Sequence, residues 1–423
     1  MNGTTSAGFD PSTIGKVSMT DTRSATNRPA DRSMPASWVV VTGDIVMLRS
    51  PIGCDPRVRN LLSAAQVAFG NLEVPLTKRG APAEKAATHR ASPDCAEDLQ
   101  AFGLTAVTLA NNHLLDYGLE GMRDTFAVLD DVGMAHVGAG ENAVEGLEPA
   151  VFSTEHGTVA LLGISASLPP GFAASTSRPG IAPLRVLQQI ALDPALAVEQ
   201  PGMAPYVYTS AHTPDLEAAC AAIMEAREAS DLVVVAIHWG IPHGFAAQSY
   251  GQLADYQPKA GRALIDAGAD LVIGHHPHVV HPIEVYKSGL IAYSVGNLMF
   301  HNWAQFGATT EAPSQTQTDH ASSFQFETPS APYRNSFADT ETLDSVLVLV
   351  QPPQPDGRLV IRFVPTTMID GDPVIPDVQH CRTILGRLRA APNVADEALH
   401  SLVIRPDLFE GAAVGEVILD GRS

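Results

Sequence analysis

The chain has little cysteine, little positive charge and no long apolar run. Its four cysteines, Cys54, Cys95, Cys220 and Cys381, are far apart and form no Cys-x-x-Cys pair. That spacing excludes zinc-finger and thioredoxin-type signatures and leaves reduced thiols as the simplest state. No stretch is long and apolar enough to cross a bilayer as a helix. Residues 1–36, rich in Ser, Thr, Asp, Arg and Pro, lack the apolar core of a secretion signal and read as a disordered tail on a cytoplasmic protein. Lys and Arg number 26 against 46 Asp and Glu, a formal charge of −20. Nonspecific nucleic-acid binding, which needs basic surface to displace counterions, is excluded. An anionic polymer is a poor partner too, unless a bound metal supplies local positive charge.

What is present is an ordinary globular composition, 45% hydrophobic and 17% charged over 423 residues, enough for a large core. Apolar runs at 38–41, 67–69 and 106–110 each lead into polar residues: Asp44, then Asn71 and Glu73, then Asn111-Asn112-His113. Helical patterns at 56–66, 93–102 (with Ser92 as N-cap) and 119–132 separate them. Further apolar runs fall at 135–138, 158–164, 231–237, 270–273 and 290–295, with helices expected at 214–229 and 251–267. Strand alternating with helix predicts an α/β fold with a largely parallel core, whose ligands bind outside the carboxyl ends of strands. Two long interruptions, 165–213 and 301–343, read as loops, the first with a helix over 184–198. The second carries Trp303 and Phe306 and reads as a substrate-covering loop. Runs at 345–350 and 359–364 predict a hairpin, and residues 371–423 a mostly helical extension beyond a main domain of 37–370.

The densest chemistry is the loop after the run at 271–273, where histidines stand at 275, 276, 278 and 281. Histidine is the commonest metal ligand and the side chain most easily poised for proton transfer near neutral pH. With Asp44, Asn71, Glu73, Asn112, His113, Asp116 and His238 at other strand ends, the set of carboxylate, amide and imidazole suits a divalent Ca, Mn, Zn, Fe or Mg ion. Nothing calls for an organic cofactor.

These motifs resemble the CapA family, also called PGA_cap, within the calcineurin-like metallophosphoesterase fold. The matching stretches are Gly43-Asp44, Asn71-Leu72-Glu73, 110–118, His238-Trp239-Gly240, 265–278 and 291–297. The resemblance implies two β-sheets packed as a sandwich and flanked by helices, with a metal centre at one edge. Carried over, Asp44, Glu73, Asn112, His238, His276 and His278 are the metal set, and His113 is a proton donor or acceptor oriented by Asp116. His275 and His281, with Asn71 and Asn111, are supporting groups. Val46, Asn71 and Asn111 depart from the His, Asp and Gly of typical metallophosphoesterases, which puts a full dinuclear site in doubt. His243 stands where family members often carry a carboxylate.

Three functions remain open at this level. One is metal-assisted hydrolysis of a phosphoester or γ-glutamyl amide. A second is proton transfer at a peptide Cα, since one CapA-type branch, the lasso-peptide epimerases, inverts the C-terminal residue of a precursor peptide. The third is a capsule-biosynthesis role without catalysis. The carboxylate-poor ligand set and the reading of the N-terminus favour the peptide epimerase.

Overall fold

The computed structural model describes residues 37–85, 87–202, 206–241, 253–301, 340–389, 402–409 and 411–420. The expected tail at 1–36, His243, Trp303 and Phe306 lie outside those residues.

The first part of the chain lays down parallel strands joined by helices. β1 (Val39–Val46) passes through α1 (Pro56–Ala64) to β2 (Val67–Leu72), then through α2 (Cys95–Phe102) to β3 (Ala106–Thr108). From there α3 (Gly118–Asp131) leads to β4 (Ala135–Val137). The four strands are neighbours in that order and parallel. Every residue of β1 and β2 is buried, the reason both read as unbroken apolar runs rather than alternating ones. Asp55 caps α1 by accepting the N–H of Arg57, with Pro56 in the first turn. Ser92 is not a cap as expected: residues 92–95 form a tight turn, Ser92 Oγ donates to Asp94, and α2 begins at Cys95.

The second sheet starts after β5 (Ala139–Gly140) and α4 (Ala143–Gly146), with the antiparallel pair β6 (Ala150–Thr154) and β7 (Gly157–Ser165). The stretch 165–213 differs from the expected loop and helix. After β8 (Gly180–Ile181), β9 (Val186–Ala191) and β10 (Tyr206–Ala211) pair as an antiparallel ribbon, and helix is confined to α5 (Pro194–Glu199). Proline is tolerated in a first helical turn but not in a helix interior, so Pro194 starts a helix where the pattern had placed its middle. Next come α6 (Thr213–Glu228), β11 (Leu232–His238), α7 (Tyr256–Asp266), β12 (Leu271–His275), β13 (Ile283–Tyr286) and β14 (Gly289–Ala292). In this sheet β7, β11, β12 and β14 are parallel.

The chain then returns to the first sheet. β15 (Asn297–Phe300) runs parallel to β1, and β16 (Asp344–Val350) pairs antiparallel to β1 and to β17 (Leu359–Ile369), the expected hairpin. β18 (Asp372–Val374) follows. The C-terminal extension carries its helix, α8 (Val378–Arg387), but beyond it β19 (Val403–Phe409) and β20 (Ala412–Leu419) add two antiparallel strands to β17. Helix propensity there is low, with Gly415 inside a β-branched run.

Alternation within strands builds the layers. On β7 and β11, Val159, Leu161, Leu232, Val234 and Ala236 enter the core shared with the first sheet. Their neighbours Ala160, Leu162, Val233, Val235 and Ile237 face the core formed with α6 and α7. The protein is therefore a mixed α/β sandwich of two sheets flanked by helices. The C-terminal ends of β1, β2 and β3 in one sheet, and of β11 and β12 in the other, converge at one edge.

Candidate metal centre and acid/base site

Both sheets contribute to that edge. Asp44 lies on β1, with its own N–H bonded to Gly296 O at 3.0 Å. The preceding residue must be glycine: a Cβ on Gly43 would meet the Gly296 carbonyl oxygen at 2.1 Å. Glu73 stands just past β2, two residues from Asn71 and so on the same face. His238 ends β11 and His275 ends β12. His276 and His278 follow with positive φ of 93° and 59°. Left-handed backbone at a residue other than glycine costs of order 1–3 kcal/mol, which the surrounding bonds hold in place.

Asp44 is the hub of the second-sheet loop. Its Oδ2 accepts the His276 backbone N–H at 3.1 Å and lies 3.3 Å from His278 Nδ1. Its Oδ1 accepts the Asn71 amide at 2.7 Å. His275 Nδ1 sits 3.1 Å from that oxygen but is not aligned for a hydrogen bond. Burial works to raise the Asp44 pKa, but the imidazoles of His275 and His278 outweigh it and hold the carboxyl well below its usual range. His278 shows the converse: burial pulls it down, yet Glu73 and Asp44 lift it to about 9. His278 Nδ1 also donates to Asn297 Oδ1 at 2.8 Å.

Glu73 is the group shared by two potential ligand sets. Glu73, His238 and His276 form one, and Asp44, Glu73 and His278 the other, each with donor atoms within 4.8 Å of one another. Neither Glu73 oxygen has a hydrogen-bond donor among the described residues, and the same holds for His276 Nδ1. Burial, and then the nearby Asp44 charge, push Glu73 well above the ordinary carboxylate range. A buried carboxylate without a donor is costly, and a cation removes that cost, so the residues present fit a divalent metal. His238 Nε2 donates to Asn112 Oδ1 at 2.9 Å and lies 3.4 Å from Glu73 Oε1, so an imidazole nitrogen, an amide oxygen and a carboxylate oxygen meet at one point.

Asn71 is placed as a support. Its amide nitrogen contacts Asp44 Oδ1 and, at 3.2 Å, His238 Nδ1, while its Oδ1 accepts from Asn111 at 3.0 Å. Asn111 in turn accepts the N–H groups of His113 and Leu114 and so shapes the loop. Asn71 thus links Asp44, His238 and Asn111, while Glu73 is the carboxylate common to both potential ligand sets.

On the first-sheet side, His113 Nδ1 donates to Asp116 Oδ2 at 2.6 Å, leaving Nε2 facing the site, 4.0 Å from Glu73 Oε1. Asp116 is fully buried, also accepts the His89 backbone N–H at 2.6 Å, and pairs with Lys85 Nζ at 2.7 Å. Burial pushes Asp116 up to about 6 against the pull of Lys85. Burial drives His113, His238 and His89 well below the usual imidazole range and His276 to about 3. His89 packs on His113 with ring centroids 4.2 Å apart. Lys85 and His89 escape sequence reasoning, because they lie on an irregular segment four residues apart with no periodic signal. Asn297 follows Gly296 in what reads as a simple turn. His281 belongs to neither ligand set and bonds through its backbone to Ser294 O at 3.0 Å.

The chain is similar in sequence to known bacterial proteins. The sequence pattern of the bacterial capsule synthesis protein PGA_cap family matches residues 39–302. The chain is 32% identical over 284 residues to the PGA biosynthesis protein CapA of Bacillus subtilis, covering 64% of each. It is 31% identical over 306 residues to the uncharacterized protein y4sH of Sinorhizobium fredii, covering 62% of this chain and 66% of that one. The chain thus spans just under two thirds of the length of these relatives. A solved phosphatase from Mycoplasma pneumoniae aligns over 79% of this chain and 90% of its own at 12% identity, with a TM-score of 0.33, too low to bear on the argument. With the match running from the first strand through both ligand sets, this chain belongs to the PGA_cap family of bacterial capsule synthesis proteins.

Proposed function

We propose that this protein is a metal-dependent peptide epimerase, which inverts a Cα from L to D in a ribosomal precursor peptide, such as the C-terminal residue of a lasso-peptide precursor. The observation that carries this reading is the pair of imidazoles His113 and His278. They come from different sheets and each has its own carboxylate, Asp116 at 2.6 Å and Asp44 at 3.3 Å. Both approach Glu73 Oε1, at 4.0 and 3.9 Å. Inversion needs two such groups: one takes the Cα proton and the other returns a proton to the opposite face. In this reading His113 Nε2 takes the proton, Asp116 and Lys85 hold its ring and tautomer, and His278 returns one. Glu73, His238, His276 and Asn112 would hold a divalent cation, whose charge stabilises the enolate-like oxygen that develops. A cytoplasmic location belongs to the same proposal.

A second reading, hydrolysis of a γ-glutamyl amide or phosphoester, is favoured by the two ligand sets sharing Glu73 and by the capsule- and PGA-related names of the relatives. In it His113 protonates the leaving group. Incubating the protein and a divalent metal with precursor-type peptides in deuterated water separates the readings. Epimerisation adds one mass unit at a single Cα with the chain intact. Release of peptide fragments or phosphate without deuterium uptake would reject it.

A further inference from the structure

A cavity of ≈ 670 Å³ opens between the loop at 166–169, one face of the β9–β10 ribbon and the start of α7. Its size lies within the range of about 300–1,000 Å³ usual for ligand pockets. The backbone ties it to the site: Ala166 N–H bonds to His238 O at 2.8 Å, and Gly240 and Ile241, two and three residues after His238, form part of its wall. Gly240 N–H is held by the Tyr256 hydroxyl at 2.8 Å.

The register of the ribbon decides which side chains face this space. Gln188 opposes Thr209 and Ile190 opposes Val207, so Val186, Gln188, Val207 and Thr209 share one face, and all four line the cavity. Val207 is 52% exposed and gives the cavity an open apolar wall. Among the described lining residues Asp255 is the sole charge, with no Lys or Arg. A polyanion would meet a carboxylate with no cation to offset it. An uncharged segment finds apolar walls with the Ser167, Gln188 and Thr209 side chains for its amides.

We infer that this cavity binds an uncharged peptide segment flanking the reacting residue, and that it disfavours polyglutamate. The inference rests on the peptide reading above and narrows its substrate class. The test uses the full-length, metal-loaded protein with two photoreactive probes, a library of uncharged heptapeptides and an oligo-γ-glutamate of equal length. Crosslinks are mapped by mass spectrometry. The expected result is labelling of 166–169 and of β9 and β10 by the uncharged library. That yield should fall at least fivefold in Val207→Trp, which fills the cavity, and in Gln188→Arg, with oligo-γ-glutamate labelling gained only in the arginine variant. Both positions are on the ribbon face rather than in the core, and circular dichroism and bound-metal content should match the parent. Library crosslinks scattered elsewhere, or indifferent to both substitutions, would overturn the inference, as would equal labelling by oligo-γ-glutamate in the parent protein. Cavity-dependent crosslinking by the library, together with no deuterium uptake by precursor-type peptides in the assay above, would overturn epimerisation and leave the cavity assignment standing.

Discussion

Glu73 and His113 divide the work of the site, and their substitutions should fail differently. Replacing Glu73 by Gln removes the carboxylate common to both ligand sets while keeping its shape. Bound divalent metal, measured by elemental analysis, should drop sharply. The metal-stripped variant should be at least as stable as metal-stripped parent in urea, because the parent then carries a buried carboxyl with no donor. A clear loss of metal-free stability would show that Glu73 is structural. His113→Gln should leave metal content unchanged and lower turnover about 10²–10⁴-fold, the usual share of a general acid or base. Asp116→Asn should also slow turnover, since the amide can present its N–H to His113 Nδ1 and favour the wrong tautomer.

At the level of elements, the site depends on strands brought unusually close. Gly43 sits where β1 meets the turn before β15, and Gly274 precedes the histidine loop, with a Cβ there meeting the Tyr293 carbonyl oxygen at 2.1 Å. Gly43→Ala should therefore destabilise the fold by about 1–3 kcal/mol, the usual range for overpacking, and shift Asp44 enough to weaken metal binding. Urea midpoints and metal titrations check both, and an unchanged midpoint would mean that the turn relaxes freely. Elements also explain what was hard to read. Two-residue strands such as β5 and β8 carry no periodic signal, and β9 was hidden by Leu187, Gln188, Gln189 and Ala191, which serve equally well in a helix. The histidine loop was easy to read because four imidazoles in seven positions have few structural uses.

For the whole molecule, metal and fold should be linked. A ligand that binds the native state alone raises stability by about 2.7 kcal/mol at a hundredfold excess over its Kd. Chelation should thus lower the melting temperature by several degrees, and one divalent ion of the right size should restore it. No response to any of Ca, Mn, Zn, Fe or Mg would remove the metal from the account. Despite the charge of −20, such binding should depend only weakly on ionic strength, because the ligands are buried and screened little by salt.

Much of this was already legible in the chain. Strand ends marked by polar residues, unbroken apolar runs for doubly covered strands, and the Asn111-Asn112-His113 and histidine-loop motifs identify an α/β core and most candidate ligands, because burial and backbone periodicity act locally. Packing decided the rest. Only the meeting of two sheets makes Glu73 common to two ligand sets, joins Asn71 to both Asp44 and His238, and brings Lys85 and His89 from an irregular segment onto Asp116 and His113. Those relations depend on distances between residues far apart in sequence, which no local pattern encodes.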